Sequence, residues 1–164
     1  MKSTVFIPKK IYNNICKYLI PKKPKSEKVA FIFATVSRVN DAIQFQSLGY
    51  VELKDEMRPK IIKMAFDLDV SIIELHSHPY QIPASFSYSD FQGFDDFVPH
   101  VWWRLNGKPY VAMVFSPFDF DALVWIDSPK TPQQLTEIIV GKNHFFPNEL
   151  SLTNRGREYE YWSF

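Results

Sequence analysis

Apolar residues occur along this chain in short runs, and their spacing predicts strands in some runs and helices in others. The run VAFIFATV, residues 29–36, is continuously apolar and rich in β-branched and aromatic side chains, which predicts a buried central strand. The segment VSIIELHSH, residues 70–78, also predicts a strand. Apolar and polar positions alternate more evenly in AIQFQSLGYVEL, residues 42–53, so this third strand should be partly open to solvent.

Two segments place apolar residues at the spacing of an amphipathic helix. They are KKIYNNICKYLI, residues 9–20, and RPKIIKMAFDLD, residues 58–69. A third, short helix is predicted at the start of FQGFDDFVPHVWW, residues 91–103, and the final VWW is expected to pack in the core or in a hairpin rather than to form a substrate platform. This helix should end before Pro99, because proline has no backbone N–H and its ring clashes with the preceding helical turn.

The other segments complete a mixed pattern of helices and strands. STVFIP, residues 3–8, predicts a short first strand. PYVAMVFSP and FDALVWID, residues 109–117 and 120–127, predict two strands that a tight turn joins into a hairpin. QQLTEIIVG, residues 133–141, is ambiguous between helix and strand. Because helices and strands do not strictly alternate, the pattern favours the α+β class.

Composition narrows the class of protein without identifying it. The chain has 164 residues, about the length of one domain, and 46% of them are hydrophobic. A net charge of +1 gives no electrostatic reason to expect nucleic acid as the main partner. The single cysteine, Cys16, is expected to be a buried helix residue. We find neither a signal-peptide pattern nor the roughly 18 apolar residues of a membrane span, so a soluble cytoplasmic protein without a membrane partner is expected.

The candidate chemistry lies in HSHPYQIPASFSYSD, residues 76–90. Side chains alternate along a strand, so His76 and His78 should point the same way and can share one metal ion. Pro79 then ends the strand, and Asp90 follows twelve residues after the second histidine. Two histidines and one carboxylate leave a fourth tetrahedral position for water, which is the pattern of a catalytic zinc site.

A structural alternative exists for part of this motif. Ser87 to Asp90 is also S-x-x-D, which resembles a capping box at the start of a helix. The two interpretations are compatible, because a helix start would hold the Asp90 carboxylate in a fixed direction. Two other histidines, His100 and His144, lie outside the motif and are expected to be surface residues or satisfied core residues.

The order of these parts resembles the JAMM metalloproteases of the MPN (JAB) domain class. Their pattern is a glutamate on an early element, then H-[ST]-H-P, several residues, and S-x-x-D. The resemblance covers about Glu27 to Trp125, most of the chain. It implies an α+β fold of the MPN, cytidine-deaminase-like type, with a curved mixed β-sheet flanked by helices. It also implies a single domain over residues 1–164.

The resemblance assigns roles to individual residues. It implies that His76, His78 and Asp90 hold Zn²⁺, that Glu27 is the catalytic base, and that Ser87 stabilises the oxyanion. Glu27 fits because it stands 49 residues before His76 and just before the buried run that starts at position 28.

Two assignments stay open in the sequence. The family usually has seven residues between the second histidine and the serine, whereas this chain has eight, so Ser85 and Ser89 compete with Ser87. Glu74 and, more weakly, Glu52 compete with Glu27 for the role of base. Glu74 is two residues before His76 on the same strand face and can instead support a histidine.

The implied activity is zinc-dependent cleavage after the C-terminal tail of a ubiquitin-like protein, by deconjugation or precursor processing. Bacterial members of the family accompany ThiF-like adenylating enzymes and conjugating enzymes, some of them in antiphage systems, which makes such enzymes candidate partners. One alternative is a peptidase that processes a sulfur-carrier protein at the same site. Another is a non-catalytic MPN scaffold that binds partners. The role of the C-terminal RGREYEYWSF is left open.

Overall fold

The helices and strands follow one another in the order that the hydrophobic pattern predicts. The computed structural model of the protein describes residues 1–23, 26–54 and 57–155. The strands are β1 (Lys2–Ile7), β2 (Val29–Val39), β3 (Ala42–Glu52), β4 (Ser71–Ser77), β5 (Tyr110–Phe115), β6 (Phe120–Trp125), β7 (Gln133–Gln134), β8 (Glu137–Val140) and β9 (Asn143–Phe145). The helices are α1 (Lys9–Leu19), α2 (Arg58–Leu68) and α3 (Tyr88–Arg104), and residues 150–155 are helical as well.

In the described part of the chain, the strands form one nine-stranded mixed sheet. Its order is β7-β6-β5-β4-β2-β3-β1-β8-β9. The central strand β2 is antiparallel to both β3 and β4, whereas β4 is parallel to β5 and β1 is parallel to β3 and β8. The predicted α+β class, the central position of VAFIFATV and the β5–β6 hairpin are therefore confirmed.

The first part of β2, residues 29–34, is continuously apolar because both faces of the sheet are covered there. Ala30 and Ile32 belong to a hydrophobic cluster that includes the buried residues of α1. Phe31 and Phe33 belong to a second cluster, on the face covered by α2 and α3. A strand buried on both faces cannot alternate between apolar and polar residues. The ring of His76 lies on the second face, with its centroid 5.4 Å from that of the buried Phe86.

The third helix is longer than predicted, because α3 continues through Pro99 to Arg104. A proline inside a helix leaves one carbonyl of the preceding turn without its usual N–H partner. Packing outweighs this loss, since one side of α3 is buried against the sheet before and after the proline. The buried residues of α3 are Phe91, Phe94, Val98 and Val101. The prediction that the helix ends before Pro99 is therefore wrong.

Tertiary packing also decides two smaller points. QQLTEIIVG forms strands β7 and β8 rather than a helix, because β8 adds beside β1 and buries Ile138. Of the VWW segment, Val101 is buried and Trp102 packs partly against the core, but Trp103 is 73% exposed. Cys16 lies in α1 as expected, although it is only half-buried.

Of the C-terminal RGREYEYWSF, only the first residue, Arg155, belongs to the described residues. The role of this segment therefore lies outside the described residues. Among the helices of the described ranges, none is long and apolar enough to cross a membrane.

Candidate metal centre

The two histidines lie at the end of β4, where neighbouring strands hold the backbone on both sides. On one side, Val29 of β2 pairs with His76. On the other side, the His78 N–H donates to the carbonyl oxygen of Phe115, the last residue of β5, at 2.8 Å. The side chains alternate along the strand, so both imidazoles project from the same face, and their Nε2 atoms lie 3.2 Å apart.

Glu27 reaches the histidines because β2 and β4 are antiparallel neighbours. Lys28 and Ser77 exchange two hydrogen bonds of 3.0 Å, one from the Ser77 N–H to the Lys28 carbonyl and one from the Lys28 N–H to the Ser77 Oγ. Glu27, the residue before Lys28, places its Oε1 atom 3.8 Å from the Nε2 atom of His78, and its side chain is 53% exposed. A carboxylate distant in sequence therefore lies beside the histidine pair and is accessible to water.

Asp90 is positioned by the N-terminus of α3. The Ser87 Oγ accepts a hydrogen bond from the Asp90 N–H at 3.1 Å, and the Ser87 N–H donates to Asp90 Oδ2 at 2.8 Å, which completes a capping box. The same Oδ2 atom lies 3.4 Å from Nε2 of both His76 and His78. A carboxylate oxygen has two lone pairs, so it can accept the capping bond and still coordinate a metal ion. The cap and the ligand are thus one side chain.

The loop between His78 and α3 is anchored by hydrogen bonds to two other parts of the chain. The Ala84 N–H donates to Asp119 Oδ1 at 2.8 Å, and the Asn148 Nδ2 donates both to the Ala84 carbonyl oxygen at 2.6 Å and to Asp119 Oδ2 at 2.9 Å. The Phe86 N–H donates to the Ser151 Oγ at 2.9 Å. These anchors come from the β5–β6 turn and from the chain after β9, and sequence reasoning missed them because none carries a recognisable motif.

The three ligand atoms form a triangle of the size that zinc requires. Its edges are 3.2 Å between the His76 and His78 Nε2 atoms and 3.4 Å from each of them to Asp90 Oδ2. Ligand atoms about 2.0–2.1 Å from a tetrahedral zinc ion lie about 3.3–3.4 Å from one another. The group can therefore hold a metal ion.

The electrostatics of this cluster favour a cation among the three ligand atoms. Burial alone would raise the pKa of Asp90, but hydrogen bonds with His76 and His78 and the Ser87 N–H hold it well below its ordinary value. Burial alone would lower the pKa of His76, yet the hydrogen bond and charge of Asp90, together with Glu74 and Glu27, raise it.

This raised pKa predicts opposite effects of pH on the zinc-free and zinc-bound protein. Protonated His76 stabilises the zinc-free fold below the unfolded pKa of 6.5, and that contribution is lost as the pH rises through the folded pKa. Zinc binds only the deprotonated imidazole, so the stabilisation by added zinc should grow over the same pH range. Thermal unfolding from about pH 6 to about pH 9, with and without zinc, measures both effects.

A control for this pH prediction is His100→Ala, because His100 is exposed and lies outside the ligand cluster. This variant should show the same pH dependence as the parent protein. A zinc-induced shift in melting temperature that does not change with pH would contradict binding through His76.

The competing glutamates lie in different environments. Glu74 is partly buried and accepts a hydrogen bond from the Tyr110 hydroxyl at 3.1 Å, and burial raises its pKa. Glu52 pairs with Ala30 on the opposite side of β2 from the histidines, and the Tyr50 hydroxyl donates to it at 3.5 Å. Glu27 is thus the carboxylate beside the ligand cluster that is also open to water.

The three candidate serines all lie near the cluster, but in different arrangements. Ser87 is the N-cap of α3 and directly touches Asp90. The Ser85 Oγ accepts a hydrogen bond from the Asn154 Nδ2 at 3.4 Å, which turns it towards the C-terminal helical residues. Ser89 lies within the first turn of α3 and lines the cavities on both sides of the cluster.

A tyrosine that sequence reasoning missed contacts the candidate base. The Tyr80 hydroxyl donates to Glu27 Oε1 at 3.4 Å, and the Tyr80 ring lies against the ring of His78 with centroids 6.3 Å apart. The sequence signal available for Tyr80 was its position two residues after His78. The histidines expected to lie outside the site do so: His100 is on α3, and the His144 Nδ1 is 2.9 Å from Glu137 Oε2.

Two cavities flank the ligand cluster, and both are lined by Glu27 and Asp90. The first, of about 400 Å³, also contains Glu74 and is called the Glu74 cavity. The second, of about 640 Å³, contains Tyr80 and Ile82 and is called the Tyr80 cavity. The two cavities share Glu27, Ser89 and Asp90, and His76 lines the first whereas His78 lines the second.

Comparison with known proteins adds no assignment to this geometry. No family model matches the chain, and no curated protein matches it.

Proposed function

We propose that this protein is a zinc-dependent hydrolase of the JAMM type, with an MPN fold, that cleaves the peptide or isopeptide bond after the C-terminal tail of a ubiquitin-like protein. The observation that carries the proposal is the triangle of His76, His78 and Asp90 ligand atoms with the Glu27 carboxylate beside it. Three ligands and an adjacent exposed carboxylate are the parts that metal-assisted hydrolysis of an amide requires.

The donor set fits zinc better than a hard cation. Two imidazole nitrogens and one carboxylate oxygen are typical zinc ligands, whereas magnesium and calcium prefer oxygen ligands alone. Three protein ligands leave one position of a tetrahedron available. Bound there, a zinc ion would supply Lewis-acid chemistry, acidifying a water molecule and polarising the scissile carbonyl group.

Glu27 is the residue that moves the proton. Its carboxylate accepts a proton from the attacking water as the water oxygen bonds to the carbonyl carbon, and later delivers that proton to the leaving nitrogen as the C–N bond breaks. The products are a carboxylate at the end of the tail and a free amine. The Tyr80 hydroxyl, 3.4 Å from Glu27 Oε1, orients the carboxylate for both transfers.

Ser87 is the residue that stabilises the developing oxyanion. Its Oγ accepts the hydrogen bond from the Asp90 N–H, so its own hydrogen can be donated towards the cluster. The N-terminus of α3 adds a partial positive charge at the same place. Ser85 is turned towards Asn154, which makes it the weaker candidate.

The two flanking cavities support a substrate that extends on both sides of the scissile bond. The tail of a ubiquitin-like protein, with a further residue or a lysine attached, has this form, and the tail can reach the site in an extended conformation. ThiF-like adenylating enzymes and conjugating enzymes are the partners that the resemblance predicts for such a hydrolase.

The proposal predicts cleavage that depends on metal. A ubiquitin-like protein that carries a C-terminal extension should be cut at the end of its tail by the zinc-loaded protein. Treatment with a chelator should abolish cleavage, and added zinc should restore it, because the ligand triangle is needed for the chemistry. Mass spectrometry of the products identifies the bond.

Other outcomes of this experiment point to other functions. Cleavage restricted to a sulfur-carrier protein would change the substrate class but keep the site. Equal binding of the ubiquitin-like protein with and without zinc, and no cleavage of any extension, would overturn the enzyme proposal in favour of a scaffold.

A further inference from the structure

A groove leads away from the candidate metal centre between α2 and α3. Its first part is the Glu74 cavity, and its second part is a cavity of about 310 Å³ that contains His100 and Arg104. The two cavities adjoin, because Arg58 and Phe97 line both of them. We call these two cavities together the α2–α3 groove.

Charges are separated along the α2–α3 groove. Glu27 and Glu74 line the end at the metal ligands. Arg58 lies where the two cavities adjoin, and His100 and Arg104 line the far end. A ligand that complements this groove therefore has a positive or proton-accepting nitrogen near the metal and a negative group further along.

The walls of the α2–α3 groove are apolar between these charges. Phe94 and Phe97 of α3 line the first part, and Pro59 and Ile62 of α2 line the second. The arrangement is that of a binding site for a short amphipathic ligand, with apolar walls for side chains and charged groups that fix its direction.

We propose that the α2–α3 groove binds the C-terminal segment that hydrolysis releases, and that this segment is a short linear extension ending in a free α-carboxylate. The inference rests on the proposed hydrolase function and deepens it by selecting the leaving group. The leaving nitrogen lies at the metal end, beside Glu27 and Glu74. The terminal carboxylate lies at the far end, beside Arg104.

The bond changes fit this placement. Water adds across the scissile amide, the C–N bond breaks, the new C–O bond leaves a carboxylate on the shortened protein, and Glu27 returns a proton to the nitrogen. The released peptide then carries an ammonium group near Glu27 and Glu74 and a carboxylate near the Arg104 guanidinium. Both charges of the product therefore meet groups of opposite charge.

A lysine in an isopeptide bond matches this groove less well. Its leaving nitrogen is at the end of a long side chain, and its own backbone continues into a folded protein on both sides. Such a substrate has no free carboxylate at the distance from the leaving nitrogen at which a short extension has one. The groove accordingly favours precursor processing over deconjugation.

The test uses two substrates that differ in one group. Arg104 lies 14 residues after Asp90 on α3, about 21 Å along the helix, which about six extended residues can span. Both substrates are therefore the same ubiquitin-like protein with a six-residue extension that has no charged side chains, one ending in a free carboxylate and the other in an amide. We expect kcat/KM to be about tenfold higher for the carboxylate, the scale of a charge-assisted hydrogen bond on a partly exposed site. Arg104→Gln should remove most of this preference by raising KM for the carboxylate substrate alone.

The control variant is Lys63→Gln. Like Arg104, Lys63 is a cationic residue on a helix, in this case α2. It pairs with Asp67 at 2.7 Å on the exposed side and does not line the groove. This variant should keep the full preference for the carboxylate. Equal kcat/KM for the two substrates in the parent protein would overturn the inference even when cleavage itself is rapid.

A binding measurement separates this inference from the proposed function. A hexapeptide with the sequence of the extension is titrated into the zinc-loaded Glu27→Gln variant, and into its Arg104→Gln derivative, by calorimetry. Binding that Arg104→Gln or amidation of the hexapeptide weakens several-fold supports the groove assignment, whether or not the parent protein hydrolyses any substrate. Identical binding of the hexapeptide and its amide would contradict it.

Discussion

Replacing Glu27 by glutamine should lower the rate of hydrolysis by at least about a hundredfold while zinc stays bound, because proton transfer by a positioned side chain contributes about 10²–10⁴ in rate. The carboxylate lies next to the ligand triangle without being part of it: its Oε1 atom is 3.8 Å from the His78 Nε2, and half of the side chain is open to water. An amide of the same shape keeps the Tyr80 contact as an acceptor but cannot take a proton.

Three measurements check this prediction. Zinc content and melting temperature of Glu27→Gln should equal those of the parent protein, and only kcat should fall. The control is Glu52→Gln, whose carboxylate is on the far side of β2 and whose rate should not change. A comparable loss in Glu74→Gln, with activity preserved in Glu27→Gln, would assign the base to Glu74 instead.

Replacing Asp90 by alanine should weaken zinc binding by more than about a hundredfold. Losing even an outer partner of a metal ligand typically weakens affinity about 10–100-fold, and Asp90 supplies one of the three ligand atoms directly. The substitution also leaves His76 in its buried position without the carboxylate that favours its protonated form. Calorimetric titration with zinc in a competing chelator measures the change in affinity.

Asp90 has two roles, so the matched control is Ser87→Ala. Each of the two substitutions breaks the capping box and should reduce the free energy of unfolding by about 1 kcal/mol. Only Asp90→Ala removes a ligand atom, so Ser87→Ala should bind zinc with an affinity within a few-fold of the parent protein. Equal loss of zinc affinity in both variants would show that the helix start, rather than the Asp90 carboxylate, determines metal binding.

The strands and helices could be predicted because their signals are local. The continuous apolar run of β2 and the helical spacing of apolar residues in α1 and α2 predict which faces are buried. Those faces are buried in the structure. Pro99 was misleading because a local rule about helix breaking competes with burial of both flanking turns of α3. The ambiguous segment 133–141 became two strands only because β1 offers an edge beside β8.

Part of the candidate site could likewise be predicted from local sequence patterns, and part could not. Because side chains alternate along a strand, His76 and His78 are predicted to project from the same face of β4. The S-x-x-D spacing predicts the capping box that fixes Asp90. The choice among Glu27, Glu52 and Glu74 could not be made from spacing alone. It depends on which strands are neighbours and in which register, and those pairings join residues far apart in the chain.

The class of fold, the buried segments and a set of donor residues typical of zinc sites could be predicted from the amino-acid sequence, because these follow from side-chain chemistry and short-range periodicity. The tertiary structure alone decided that three ligand atoms converge to 3.2–3.4 Å, that Glu27 lies beside them, and that Glu74 pairs with Tyr110. It also revealed a groove whose charges change sign with distance from the metal centre. Such convergence arises from strand register and helix packing, which bring together residues that no local pattern connects.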